Sequence, residues 1–142
     1  MTSSGKNATN NPTMKKQIIL TPDAPAPIGP YSQAVQIGHQ LFISGQIPID
    51  PATGALVSGS IEQETAQVMK NITAVLTQAG GNWEHVVKTS IFLKDMSDFA
   101  AVNEIYGGYI PEKSAPARET VAVAGLPKGV RVEISAIAFL DA

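Results

Sequence analysis

The segment Val130 to Leu140 (VRVEISAIAFL) constrains the fold of this chain more than any other. Side chains alternate between the two faces of a strand. Val132, Ile134, Ala136, Ala138 and Leu140 therefore share one face, and all are apolar. Glu133, Ser135, Ile137 and Phe139 share the other, which is amphipathic. The first face fits a sheet covered by helices. The second fits a surface that meets another subunit or lines a cleft. A carboxylate in such a strand is paired or used, because an unpaired buried charge is too costly.

Two helices are available to cover the apolar face. Ile61, Thr65, Val68, Met69, Ile72, Val75, Leu76 and Ala79 fall at helical spacing. Ser60 and Gln63 predict a capping box at the start, and Gly80-Gly81 a stop. The second helix is expected to be capped by Ser97, to carry the stripe Phe99, Val102, Ile105, Tyr106 and Tyr109, and to end at Pro111. Further strands are expected at Gln17–Leu20, Ser32–Ile37, Leu41–Ser44, Val86–Lys94 and Arg118–Ala124. Between the first two lies PDAPAPIGP, a rigid loop with four of the ten prolines. The order is βββαβαββ. This predicts an α+β fold, a six-stranded mixed sheet with both helices packed on one face. Residues 1–13 read as a disordered extension, and 14–142 as a single domain, the size expected of 142 residues.

Composition removes several classes of function. Ten basic against twelve acidic residues give a net charge of −2, with only two arginines and no basic stripe. Nucleic-acid binding is disfavoured on that ground. There is no cysteine, hence no disulfide framework, thiolate nucleophile or cysteine zinc site, and His39 and His85 alone make no histidine-rich metal site. No apolar run reaches the roughly 18 residues of a membrane helix, and the N-terminus has no secretory h-region. The expectation is a cytoplasmic protein. A charged fraction of 15% is low for a chain of this size and hints at an oligomer.

No phosphate loop, dinucleotide fingerprint or serine elbow is present. The informative residues are charges set in apolar strands, Arg118 in APARETVAVA and Glu133. They form either a structural ion pair at a subunit boundary or a functional pair, in which the arginine grips an anionic substrate bidentately. Tyr31 on its rigid loop, Ser44-Gly45 at a strand end and Asn103 on the second helix are further candidates, each with a packing, turn or loop-bonding explanation beside the functional one. Asp50, Asp95 and Asp98 have turn or cap explanations. His39 reads as a hairpin-turn residue and His85 as a surface one.

The stretches IGPYSQA (28–34), FISGQIP (42–48), PAR (116–118), GLPKG (125–129) and VEI (132–134) resemble the RidA (YjgF) family of reactive-intermediate deaminases. The similarity runs from about Met14 to the C-terminus. It implies a chorismate-mutase-like fold, a homotrimer with a ligand cleft at each subunit boundary, and no cofactor. It implies hydrolysis of 2-imino acids such as 2-iminobutanoate and 2-iminopropanoate to 2-oxo acids and ammonia. By position, Arg118 matches the arginine that grips the substrate carboxylate, and Glu133 the glutamate near the attacking water. Tyr31, Ser44, Gly45 and Asn103 match other cleft positions. Thr120 matches a position that is cysteine in some members and whose backbone faces the ligand. Glu119 and Ser135 depart from a typical member. Strand parity predicts that Glu119 faces away from Arg118. A non-catalytic metabolite sensor, a chaperone-like scaffold and an endoribonuclease are alternatives on the same fold.

Overall fold

In the computed structural model, which describes residues 14–141, the elements follow the expected order. They are β1 (Gln17–Ile19), β2 (Ala34–Ile37), β3 (Gln40–Gln46), α1 (Ile61–Gln78), β4 (Val86–Leu93), α2 (Phe99–Gly107), β5 (Ala117–Ala122) and β6 (Val132–Phe139). The extension assigned to residues 1–13 lies outside the described residues. The six strands form one sheet in the order β1-β2-β3-β6-β4-β5.

The topology follows from the two helical crossovers. β3 and β4 are each antiparallel to β6, so they run parallel to one another, and α1 connects them. β4 and β5 pair in parallel through α2. Crossovers of one hand place both helices on the same face. The last strand then enters between β3 and β4 and is hydrogen-bonded on both edges. Its parity is the one expected: Val132, Ile134, Ala136, Ala138 and Leu140 are buried, while Ile137 is 36% and Phe139 53% exposed. The buried set packs with Leu41 and Ile43 of β3, Ile91 and Leu93 of β4, and Val68, Met69, Ile72, Val75 and Leu76 of α1. Val102 and Tyr106 of α2 complete this core. No helix is long and apolar enough to cross a membrane among the described residues.

Helix α1 begins with the expected capping box, Ser60 Oγ accepting from Gln63 N–H and Gln63 Oε1 from Ser60 N–H. The start of α2 differs. Ser97 is not its cap. Asp95 accepts the Ser97 N–H at 2.9 Å and opens a short 3-10 turn, Met96–Asp98, and α2 follows with no side-chain cap. An aspartate two residues earlier competes successfully, because its carboxylate reaches the i+2 amide without leaving the extended backbone. The end of α2 also differs, at Gly107-Gly108 rather than at Pro111, because Pro111 instead opens a separate 3-10 turn. His85, expected at the surface, is part-buried there and bonded on both ring nitrogens. Its Nδ1 accepts from Asn82 N–H and its Nε2 lies 3.0 Å from Asp141.

Two buried amides fasten the irregular segments. Asn71 of α1 donates to the carbonyls of Ile47 and Ile49, holding the chain after β3 against the helix. Gln33 is 1% exposed. Its Oε1 accepts from Thr21 N–H, and its Nε2 lies within bonding distance of the Thr21, Ala24 and Pro25 carbonyls. The proline-rich loop is therefore shaped by one side chain. Gln33→Leu strands the buried Thr21 amide and the carbonyls together. Each stranded buried group costs roughly 1–3 kcal/mol, so urea denaturation should show a loss of at least about 2 kcal/mol, and an unchanged midpoint would refute the clamp.

Candidate functional site

Glu133 sits where β3 loses register with β6. Ile43 opposes Ala136 and Gln46 opposes Ile134, so Ser44 and Gly45 together face the single residue Ser135. Such a bulge bends the strand and re-aims its side chains. Here it brings the backbone of Gly45 against the Glu133 carboxyl group. A Cβ added to Gly45 would overlap that group, so only glycine allows this seat. Gly45 is thus a support for the carboxylate, in addition to being a wall of the cleft.

The cleft over Glu133 has a volume of about 300 Å³ and is lined by Ile28, Tyr31, Ser44, Gly45, Ile47 and Pro127 as well. Its loop wall is tied to β3. Ser44 Oγ donates to Ser32 O at 2.6 Å, and Ser44 N–H to Gln33 O at 2.9 Å. Ser44 spends its proton on the loop, leaving only its oxygen lone pairs to the cleft. Tyr31 is pinned from the other side: its hydroxyl oxygen accepts from Ile28 N–H at 3.3 Å. The Tyr31 proton remains free to donate. Glu133 is half-buried and has no hydrogen-bond or ion-pair partner among the described residues. Burial with no compensating charge pushes its carboxyl above the ordinary value.

Arg118 is elsewhere. It pairs with Thr89 across the parallel β4–β5 ladder, while Glu133 pairs with Phe92 across β4–β6. Thr89 is buried under α2 and Phe92 lies three residues on, so the two side chains leave opposite faces of the sheet. No ion pair joins them among the described residues. A structural pair at a subunit boundary, as expected from the sequence, is a contact between two chains and is a separate matter. Within the chain, Arg118 Nη1 donates to Asn103 Oδ1 at 2.7 Å, and its guanidinium carbon lies 5.1 Å from the Tyr106 ring centroid and 5.7 Å from that of Phe99. Asn103 bonds a strand arginine and not a loop, and its amide nitrogen keeps two protons. Thr120, two residues beyond Arg118 on the same face, has a buried Oγ1 with no partner.

One chain thus gathers the candidate residues in two separate groups. Tyr31, Ser44, Gly45 and Glu133 come together in the cleft, and Arg118, Asn103 and Thr120 gather beside α2. Glu119 lies on the face opposite Arg118, as parity predicts, and takes a 2.5 Å bond from Ser90 Oγ and an ion pair with Lys88 at 3.1 Å. The single-residue reading missed Ile28, Ile47 and Pro127, although all three stand inside the stretches that carry the resemblance. It also missed the use of Phe99 and Tyr106, which the apolar stripe of α2 assigns to packing alone. Among the described residues no cluster of His, Asp or Glu suited to a metal ion occurs.

Residues 21–140 match the protein family described as Endoribonuclease L-PSP. A 2-iminobutanoate/2-iminopropanoate deaminase of Mus musculus is 50% identical over 123 residues, 87% of this chain and 90% of the relative. A RutC family protein of Pyrococcus horikoshii is 54% identical over 126 residues, 89% of this chain and 99% of the relative. Among solved structures, RidA from an Antarctic Psychrobacter superposes with a TM-score of 0.84 at 45% identity, covering 87% of this chain and 99% of that one. Escherichia coli TdcF with bound serine superposes at 0.83 with 39% identity, covering 88% and 99%. With the sheet order, the helix-covered face and the motif stretches all in agreement over nearly the whole chain, this protein belongs to the RidA (YjgF) family.

Proposed function

We propose that this protein hydrolyses 2-imino acids such as 2-iminobutanoate and 2-iminopropanoate to 2-oxo acids and ammonia. The observation that carries the reading is that neither Arg118 nor Glu133 has a charge partner among the described residues. Each is held in place by neutral groups, Arg118 by Asn103 and two rings, Glu133 by the Gly45 backbone. An arginine and a carboxylate kept unneutralised suit a small zwitterionic or iminium-carboxylate ligand. The deaminase name of the mouse relative and the serine bound to TdcF point the same way.

Arg118 grips the substrate carboxylate through the guanidinium nitrogens that Asn103 leaves free, and Asn103 adds its amide protons. Glu133 orients a water and takes its proton as the oxygen adds to C2 of the iminium. The carbinolamine that results loses its amine, after the proton returns to nitrogen, as ammonia, and the carbonyl of the 2-oxo acid forms. The Tyr31 hydroxyl has a proton available for the developing oxygen or the carboxylate. Thr120 lines the arginine side through its backbone. Water is the only co-reactant, and no step calls for a cofactor or a metal.

The two half-sites face away from each other in one chain, so a substrate spans them only where two copies meet. We place the cleft between subunits of a homotrimer. The open sheet face supports this with Phe42 at 42%, Val121 at 42% and Phe139 at 53% exposed, apolar surface that a partner would cover. RNA cleavage, the activity in the family's description, finds little support in a chain with net charge −2 and no basic stripe.

Imine generated in place by a dehydratase, with 2-oxo acid release followed, tests the proposal. Arg118→Lys keeps the charge and loses the planar fork. It should lower kcat/KM by roughly 10²-fold or more, in line with misplacement by about 1 Å. Glu133→Gln should leave 2-oxobutanoate binding nearly intact and depress turnover by about 10²- to 10⁴-fold, the contribution of a general base. A fully active Glu133→Gln enzyme would remove Glu133 from the mechanism.

Gly45→Ala places a methyl where the carboxyl group rests. Turnover should fall by roughly 10- to 100-fold in a protein that still folds, since displacement of the base by about an ångström is enough. A normal turnover number would show that the seat is not needed.

The pH profile follows from the burial of Glu133. Its carboxyl is raised above the ordinary 4.5, so the proton persists to higher pH than on a free glutamate. The carboxylate form is the base. The acid limb of kcat/KM should therefore lie above pH 4.5 and disappear in Glu133→Gln, and a limb unchanged by that substitution would assign it to another group.

A further inference from the structure

We propose that Tyr106, locked by Thr89, is the positioning residue that aims the Arg118 guanidinium. This rests on the reading of Arg118 as the carboxylate clamp and adds to it the part of the fold that makes the clamp rigid. Arg118 stands on the edge strand β5 with an exposed side chain. A free arginine there would sample many rotamers, and little of its binding energy would survive the ordering. One hydrogen bond, to Asn103, fixes one nitrogen but leaves the plane free to turn about that contact. The plane is settled by rings. The Tyr106 ring lies closer than that of Phe99, at 5.1 Å against 5.7 Å, and Tyr106 is 5% exposed whereas Phe99 is 38% exposed. Tyr106 is the rigid wall and Phe99 the yielding one.

The Tyr106 ring is itself held at its far end. Its hydroxyl lies 2.7 Å from Thr89 Oγ1, and Thr89 is fully buried. Thr89 is also the residue directly opposite Arg118 in the β4–β5 ladder. One residue of β4 therefore sets both the backbone height of Arg118 and the height of the ring under its guanidinium. A leucine would fill the same place in the α2 stripe, yet it would supply neither the π-face nor the hydroxyl anchor. A phenol buried among aliphatic core residues is justified by what stands on it.

The test uses the full-length protein and two readouts. The first is modification of arginine by phenylglyoxal, followed by peptide mass spectrometry. The chain has two arginines, and Arg131, bonded through Nε to Glu64 at 2.7 Å, is an internal reference. The second is the affinity for 2-oxobutanoate with kcat and KM for imine hydrolysis. Tyr106→Leu should raise the Arg118-to-Arg131 modification ratio at least about threefold and weaken 2-oxobutanoate binding roughly 2- to 30-fold, the span of a cation–π contact. KM should move more than kcat. Tyr106→Phe and Thr89→Val each strand one buried hydroxyl and should shift the ratio in the same direction by less. The double variant strands none, because both partners of the bond become apolar. With the lock gone as well, it should recover melting temperature while keeping the raised ratio and the weakened affinity of the single variants. A merely structural role leaves ratio and affinity at parental values throughout, with melting temperature falling in the single variants and recovering in the double. That result overturns the proposal, and if Tyr106→Leu fails to fold, the two single variants and their double decide it in the same way. Failure of the deaminase reading looks different: the parent protein neither binds 2-oxobutanoate nor releases 2-oxo acid from the imine, and the modification ratios alone then decide the positioning.

Discussion

A strand hydrogen-bonded on both edges has no freedom to slip, and β6 is such a strand. It lies between β3 and β4, and a shift of one residue would send Val132, Ile134, Ala136 and Ala138 to the open face and Glu133 and Ser135 into the core. The penalty for burying Glu133 under α1 without a partner fixes the register as firmly as the gain from burying the valine and isoleucine. The rest of the molecule is arranged around that choice. α1 and α2 cover the apolar parity, and β3 must bulge at Ser44-Gly45 to pass the carboxyl group that the other parity presents. The cleft is in this sense a by-product of a register, with the proline-rich loop shaped over it by Gln33.

The same pleat decides what one chain can do alone. Arg118 and Glu133 are both strand residues of one sheet, and each is free of countercharge among the described residues. A charge pair in contact would be stable and inert toward a small ligand. Opposite faces of one sheet keep the two from neutralising each other within the chain. On the reading proposed above, a substrate reaches both only where two copies meet, and Phe42 and Phe139 stand on the face that such a copy would cover.

Most of the fold was legible because it rests on periodicity. The alternation of β6 and the stripe of α1 are long patterns, and both hold to within two residues at their ends. What was not legible rests on competition between near neighbours. Asp95 takes the Ser97 amide and starts a 3-10 turn that moves the start of α2 past Ser97, and α2 ends at Gly107 ahead of Pro111. The site divides in the same manner. Parity alone put Glu133 on the open face and turned Glu119 away from Arg118. Parity within single strands does not say how β5 and β6 are offset, and it took the ladders through β4, with Thr89 and Phe92 three residues apart, to put Arg118 and Glu133 on opposite faces of one chain. The second use of Tyr106 was hidden for a further reason. A core tyrosine and a core tyrosine beneath an arginine have the same spacing in sequence.

The departure at Glu119 shows how far strand geometry can keep neighbours in sequence from acting on each other. A carboxylate adjoining the arginine along the chain ought to quench it. Here the peptide alternation sends Glu119 to the other face, and there Ser90 and Lys88 engage it, the hydrogen bond from Ser90 being the largest cause that holds its carboxyl below the usual range. Glu119 stays ionised and is satisfied locally. Its charge is then largely cancelled by Lys88, and the intervening sheet leaves Arg118 without a competitor. Ser90, opposite both Glu119 and Ser135 in the ladders, is where the far face receives the carboxylate, and Lys88 supplies the countercharge.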